Sequence, residues 1–164
     1  MTAAALCAAA ALASCGDPPR NPDADHTIGG RVMTVTDGDT IRVRLASGRV
    51  ERVRYIGIDT PETEKPGARG ECYADRAQEF NERLVGDRDV DLELDVGERD
   101  RYGRLLAYVR VGSKLVNAEL LRNGYAVPLV VPPNVRFEDR FRRLARAARR
   151  RGEGLWASCP AKGS

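Results

Sequence analysis

Two short stretches carry side chains that can do chemistry together: Asp37-Gly38-Asp39-Thr40, and Arg54-Tyr55-Ile56-Gly57-Ile58-Asp59-Thr60-Pro61-Glu62. They offer three carboxylates of interest (Asp39, Asp59 and Glu62), the guanidinium of Arg54 and the hydroxyl of Thr60. Hard cations such as calcium and magnesium want clustered oxygen ligands of this kind. An arginine beside such a cluster implies that something anionic binds as well. A carboxylate-held metal next to an arginine points to a phosphate site, because both neutralise charge on phosphoryl oxygens.

Such groups need rigid elements behind them, and the flanking sequence supplies candidates. Residues 27–36 are rich in β-formers, with Gly29 and Gly30 placed to bend a strand or form a bulge. Asp37-Gly38-Asp39 reads as a turn. Residues 40–45 and 50–58 alternate apolar and polar side chains, the pattern of strands with one wet face, and Ser47-Gly48 reads as the hairpin between them. Residues 63–70, with one proline and two glycines, read as a mobile rim to the acidic cluster, with Lys65 and Arg69 as rim cations. A helix is expected over 71–85, because Tyr73, Ala77, Phe80 and Leu84 share one helical face. Strands follow over 89–96 and 104–111, separated by a charged turn.

A short helix is expected over 117–123, with Asn117 as its N-cap and Gly124 just past its end. Residues 125–131 read as extended. After Pro132 and Pro133, Asn134 is placed to cap a last helix over 135–151. Phe137, Phe141, Leu144 and Ala148 form its apolar stripe, and its other face is dense in arginine, read as a solvated face with a polyanion track as the alternative. Leu155-Trp156 should pack back on the domain. The expected fold is therefore α+β: a five-stranded OB-like barrel with helices, an architecture that commonly binds nucleic acid.

The chain has 164 residues, enough for one domain with a self-sufficient core plus extensions. Its net charge of +3 permits a polyanionic partner without demanding one. The only histidine, His26, falls at a linker edge, which argues against a zinc site or a Ser-His-Asp triad.

Residues 1–14 form an uncharged run of mostly Ala, Leu and Cys, too short to span a bilayer and suited to the apolar part of a secretion signal. The positive segment that usually precedes such a run is missing. The run ends in Leu12-Ala13-Ser14-Cys15, which resembles the lipobox of bacterial lipoproteins, with Cys15 as the lipidated residue. A plain secretory signal and a buried Ala-rich helix are the alternatives. Residues 15–26 have linker composition, the domain is expected over 27–158, and 159–164 form a tail. Export would place the protein outside the cytoplasm, anchored to a membrane or secreted. It would also leave Cys72 and Cys159 to form a disulfide, worth about 4–5 kcal/mol by chain entropy.

Taken in order, these residues resemble the staphylococcal-nuclease family. The matching stretches are Val35-Thr36-Asp37-Gly38-Asp39-Thr40, Arg54 with Asp59-Thr60-Pro61-Glu62-Thr63, and the run from Asp100 to Tyr108. Leu115-Val116-Asn117 and Arg122-Asn123-Gly124 complete the set, and the resemblance spans about Thr27 to Trp156. It implies an OB-fold barrel with three helices and calcium-dependent hydrolysis of phosphodiester bonds in DNA and RNA by a monomer. Asp39 and Asp59 would supply carboxylate ligands and Thr60 a backbone carbonyl. Glu62 would act on the nucleophilic water, Arg54 and Arg104 would grip the scissile phosphate, and Arg101 and Tyr102 would approach the terminal phosphate or sugar. Family members carry base-stacking aromatics before the proline stretch; here the segment is Leu129-Val130-Val131-Pro132. The competing readings are a catalytically inactive nucleic-acid-binding module on the cell envelope and a structural envelope lipoprotein.

Overall fold

The computed structural model describes residues 26–64 and 69–159. The signal-like run, the linker up to Asp25, Cys15, the rim residue Lys65 and the tail beyond Cys159 lie outside the described residues.

β1 (Thr27–Asp37), β2 (Thr40–Leu45) and β3 (Val50–Tyr55) form an antiparallel meander. β5 (Asp89–Glu93) pairs with β1 on the other side, and β6 (Leu105–Val111) pairs with β5. β3 and β6 then pair in parallel, Val53 with Leu105 and Arg54 with Leu106, which closes a five-stranded mixed barrel. Alternation explains the strands. In β2, Ile41 and Val43 are buried while Arg42 and Arg44 face water. Ile41, Val43, Val53, Leu92 and Val109 belong to one core that also takes in Leu120, Leu121 and Phe141. Each such side chain contributes about 1.5–3 kcal/mol on full burial.

Among the described residues four helices accompany the barrel, one more than expected: α1 (Ala74–Val85), α2 (Val116–Arg122), α3 (Glu138–Arg151) and the short α4 (Leu155–Ser158). Leu155-Trp156, expected to pack back, does so as this extra turn. Three short strands complete the set, β4 (Ile58–Asp59), β7 (Lys114–Leu115) and β8 (Val127–Pro128).

Several local expectations change. The strand expected over 50–58 breaks after Tyr55, because Gly57 takes φ +79 and a Cβ there would meet the Phe141 ring at 2.8 Å. The chain turns and β4 pairs with β8 instead. Gly29 and Gly30 carry no bulge; the register shifts fall at Val32/Thr34 and Val35/Asp37. Gly30 serves close packing, since a Cβ would lie 2.5 Å from Val43 Cγ1.

Asn117 is not an N-cap. It lies inside α2, fully buried, accepting from Val109 N at 2.9 Å and donating to Ile56 O at 2.9 Å. Asn134 does not cap α3 either: its amide exchanges two 2.7 Å bonds with the backbone of Gly97, and α3 begins four residues later. In both places a side chain predicted to satisfy a helix end satisfies a buried loop or strand backbone. α1 begins at Ala74, because Tyr73 adopts a left-handed conformation at φ 74. β5 ends at Glu93, short of the expected Val96. Cys72 and Cys159 are joined in a disulfide.

Candidate active site

The register of β2 and β3 places the first pair of groups. Thr40 lies opposite Arg54, and Tyr55 N donates to Asp39 O at 2.9 Å, so Asp39 is set beside the arginine. Arg54 Nη1 donates to Asp39 Oδ1, and Nη2 donates to Asp59 Oδ1 at 2.6 Å. One guanidinium therefore bridges the two carboxylates singled out from the sequence. Asp39 also accepts from Thr60 N at 2.8 Å and from the Thr40 hydroxyl at 3.2 Å. The turn that carries it closes onto Thr60 so tightly that a Cβ on Gly38 would lie 2.7 Å from Thr60 Oγ1.

α1 braces this turn from beneath. Asn81 Nδ2 donates to Asp37 O at 3.2 Å, and the buried Tyr55 hydroxyl donates to Asn81 Oδ1 at 3.0 Å. Asp37 is itself buried, and its Oδ1 accepts from Asp39 N at 3.1 Å. Burial pushes the Asp39 carboxyl up; Arg54 pulls it back, Asp37 pushes it further, and it comes to stand at about 7. Arg54 is disfavoured as a cation by burial, but Asp39 and Asp59 outweigh this and hold its pKa above the ordinary value.

The parallel seam places the second arginine. Arg54 pairs with Leu106, and Arg104 is two residues before Leu106, so strand alternation puts all three on one face. Arg104 Nε donates to Asp100 Oδ2 at 2.6 Å, which leaves both terminal nitrogens for another partner. Burial works against the Asp100 charge, but the Arg104 side chain and the backbone N–H groups of Arg104 and Tyr102 hold it below the usual carboxylate range. Asp100 thus remains an anion that fixes Arg104 in orientation.

A cleft of about 490 Å³ brings together Arg54, Glu62, Arg101, Tyr102 and Arg104. Its opposite wall includes Leu129, Val131, Pro132 and Pro133. Asp59 and Thr60 line a second groove of about 640 Å³, with Cys72, Arg149, Trp156 and Cys159. Segment 58–62 therefore has a depression on either side, with Ile58 and Glu62 facing the first. Asp39 lies beneath, reached through Arg54. Arg101 and Tyr102 are exposed at the rim, with Arg101 Nη2 donating to the Tyr102 hydroxyl at 2.5 Å.

Among the described residues, no three His, Cys, Asp or Glu side chains are grouped as metal ligands. Asp39 and Asp59 are the carboxylates available to hold a cation, with the Thr60 carbonyl. Sequence reasoning named the Asp37-Gly38-Asp39 turn and the run from Asp100 but gave Asp37 and Asp100 no role, and it missed Asn81. A signal existed for Asn81, a polar residue four positions after buried Ala77 on the apolar face of a helix. Asp100 stands four residues before Arg104, a spacing that an intervening turn closes.

A closed five-stranded barrel flanked by helices, with arginines and carboxylates converging at its seam, defines an α+β protein of the OB type. A family model described as staphylococcal nuclease homologue matches residues 52–158. The thermonuclease of Staphylococcus hyicus is 37% identical over 128 residues, covering 78% of this chain and 75% of the relative. The SPbeta prophage-derived endonuclease YokF of Bacillus subtilis (strain 168) is 43% identical over 123 residues, 74% of this chain and 41% of the relative. The endonuclease YncB of the same organism is 42% identical over 123 residues, 74% of this chain and 58% of the relative. The chain belongs to the staphylococcal nuclease family.

Proposed function

We propose that this chain is a calcium-dependent nuclease that hydrolyses phosphodiester bonds in DNA and RNA. A nuclease hydrolase is the class that the thermonuclease and endonuclease relatives support. The observation that carries the finer reading is the single cleft shared by Arg54, Glu62 and Arg104, backed by the carboxylates that Arg54 bridges.

A phosphodiester carries one negative charge, and its transition state toward hydrolysis carries more. Arg54 and Arg104 present two guanidiniums to the same space; Arg54 bridges Asp39 and Asp59, while Arg104 keeps both terminal nitrogens for phosphoryl oxygens. Preorganised cations of this kind stabilise charge that develops in the transition state more than charge already present. Glu62 is the acid at the cleft that takes the proton from the attacking water. The residue is exposed at the cleft, as the role requires. Arg101 and Tyr102 meet the phosphate or sugar at the end of the substrate.

The donor set fits a hard divalent cation. It is all oxygen, and the buried Asp37 and Asp39 with the half-exposed Asp59 outnumber the one guanidinium among them, so the cluster is short of positive charge. Asp39, Asp59 and the Thr60 carbonyl would hold the ion. Bound there, calcium supplies Lewis-acid polarisation of a phosphoryl oxygen.

The lipobox-like segment supports export of domain 27–158 on linker 15–26, as a monomer anchored through a lipid on Cys15. Intact mass of the mature protein from membranes tests this: an unmodified chain starting at Met1 overturns it. The catalytic reading is tested on single- and double-stranded DNA and RNA in parallel. Cleavage of all four with calcium, abolished by a chelator, is expected. Full activity in excess chelator overturns the calcium dependence.

A further inference from the structure

Glu62 must hold a fixed place to act on a water, yet it is exposed and belongs to neither strand nor helix. Its backbone is held by a reciprocal pair of bonds. Glu62 N donates to Glu71 Oε2 at 3.1 Å, and Glu71 N donates to Glu62 O at 2.9 Å. Glu71 is itself exposed, and its carbonyl accepts from Ala74 N at 3.2 Å, at the start of α1.

The next residue, Cys72, provides an anchor through its bond to Cys159. Cys159 follows α4, and its N–H donates to Leu155 O at 3.0 Å. α4 is in turn seated hard against the end of α2. Leu155 N donates to Gly124 O at 2.8 Å. A Cβ on Gly124 would lie 2.2 Å from Glu153 O, and one on Gly154 would lie 2.3 Å from Gly124 O. Gly124 follows Asn123, the residue that ends α2, whose Leu120 and Leu121 are fully buried. Fixed points therefore run from the core through α2, α4 and the disulfide to Glu71, and from Glu71 to Glu62. The same disulfide lines the groove that holds Asp59, Thr60 and Pro61.

We propose that Glu71 is a positioning residue for Glu62, and that the Cys72–Cys159 bond is the anchor that makes it one. The inference rests on the reading of Glu62 as the group that activates water. Its physical basis is orientation: a catalytic group displaced by about 1 Å can lose on the order of a hundredfold in rate.

The test uses the full chain and three variants: Glu71→Ala, Glu71→Gln, and Cys72→Ser combined with Cys159→Ser. Two readouts are taken, steady-state kinetics and amide hydrogen exchange at Glu62. Glu71→Ala should lower kcat by about tenfold to a hundredfold with KM little changed, and should speed exchange at Glu62. Glu71→Gln keeps an oxygen acceptor and should restore most of both. The double serine variant should show the same pattern with a smaller loss. Unchanged exchange at Glu62 in folded Glu71→Ala overturns the proposal whatever the activity, and so does faster exchange with kcat intact. Should the double serine variant fail to fold, the Ala and Gln pair decides alone. Full activity of Glu62→Gln would instead overturn the base assignment, and the exchange result would still stand for or against the brace.

Discussion

The two walls of the cleft are built on different principles. On one wall, three arginines are each held by an acid: Arg54 by Asp39 and Asp59, Arg104 by Asp100, and Arg99 by both oxygens of Glu51. Arg54 stands on β3, Arg104 just before β6, and Arg99 bridges Leu105 of β6, so the sheet register sets their direction. The facing wall is a loop. Its backbone is fixed by Leu129 N donating to Gly57 O at 3.1 Å and by the Asn134–Gly97 exchange. Its side chains are left open: Leu129 is 42% and Val131 59% exposed. The charged wall specifies geometry, which phosphate chemistry demands. The apolar wall offers contact area, which a base can use without a fixed register.

If that division is right, substitutions on the charged wall should act on rate and those on the loop on affinity. The largest effect belongs to Glu62→Gln, expected to lower kcat by roughly 10²- to 10⁴-fold while the protein folds and binds normally. A loss confined to KM would break the comparison. Next comes Arg104→Lys, which keeps the charge but removes the fork. It is expected to cost on the order of tenfold to a hundredfold in kcat/KM, because lysine cannot hold Asp100 and two phosphoryl oxygens together. Equal kcat/KM in the two proteins would mean that Arg104 supplies charge alone. The smallest effect is a gain. Val131→Tyr places a ring on the open wall and should tighten single-stranded binding by about 1 kcal/mol, the lower end for a stacked base, with kcat unchanged. Unaltered Kd would show that bases do not reach this wall.

Much of this was legible in the sequence because strands with one wet face announce themselves. The alternation in residues 40–45 fixes which side of β2 faces the core, and the turn at Asp37-Gly38-Asp39 follows from residue type. Helix starts were harder. Asn117 and Asn134 have the side chains of caps, but their amides complete backbone bonding elsewhere, and no local pattern distinguishes the two uses. Convergence was the least legible part. Asp39 and Arg54 meet because a hairpin folds them together, a local event that sequence can suggest. Arg54 and Arg104 meet only because β3 and β6 pair in parallel, a contact between segments with several elements between them. Resemblance to a family supplied that convergence; periodicity alone did not. The brace from Glu71 to Glu62 was hidden for the same reason, since its anchor is at the far end of the chain.

The β3–β6 pairing has a consequence for any chain that stops short. A fragment ending before Arg104 carries the residues of the meander, the acid pair and one arginine, yet has no seam and would hold only half of the proposed phosphate grip. Cutting ability is then not something that accrues with length or with partial order. On the proposed mechanism it would switch on when β6 docks, and a nascent or clipped product is expected to be inert toward nucleic acids around it.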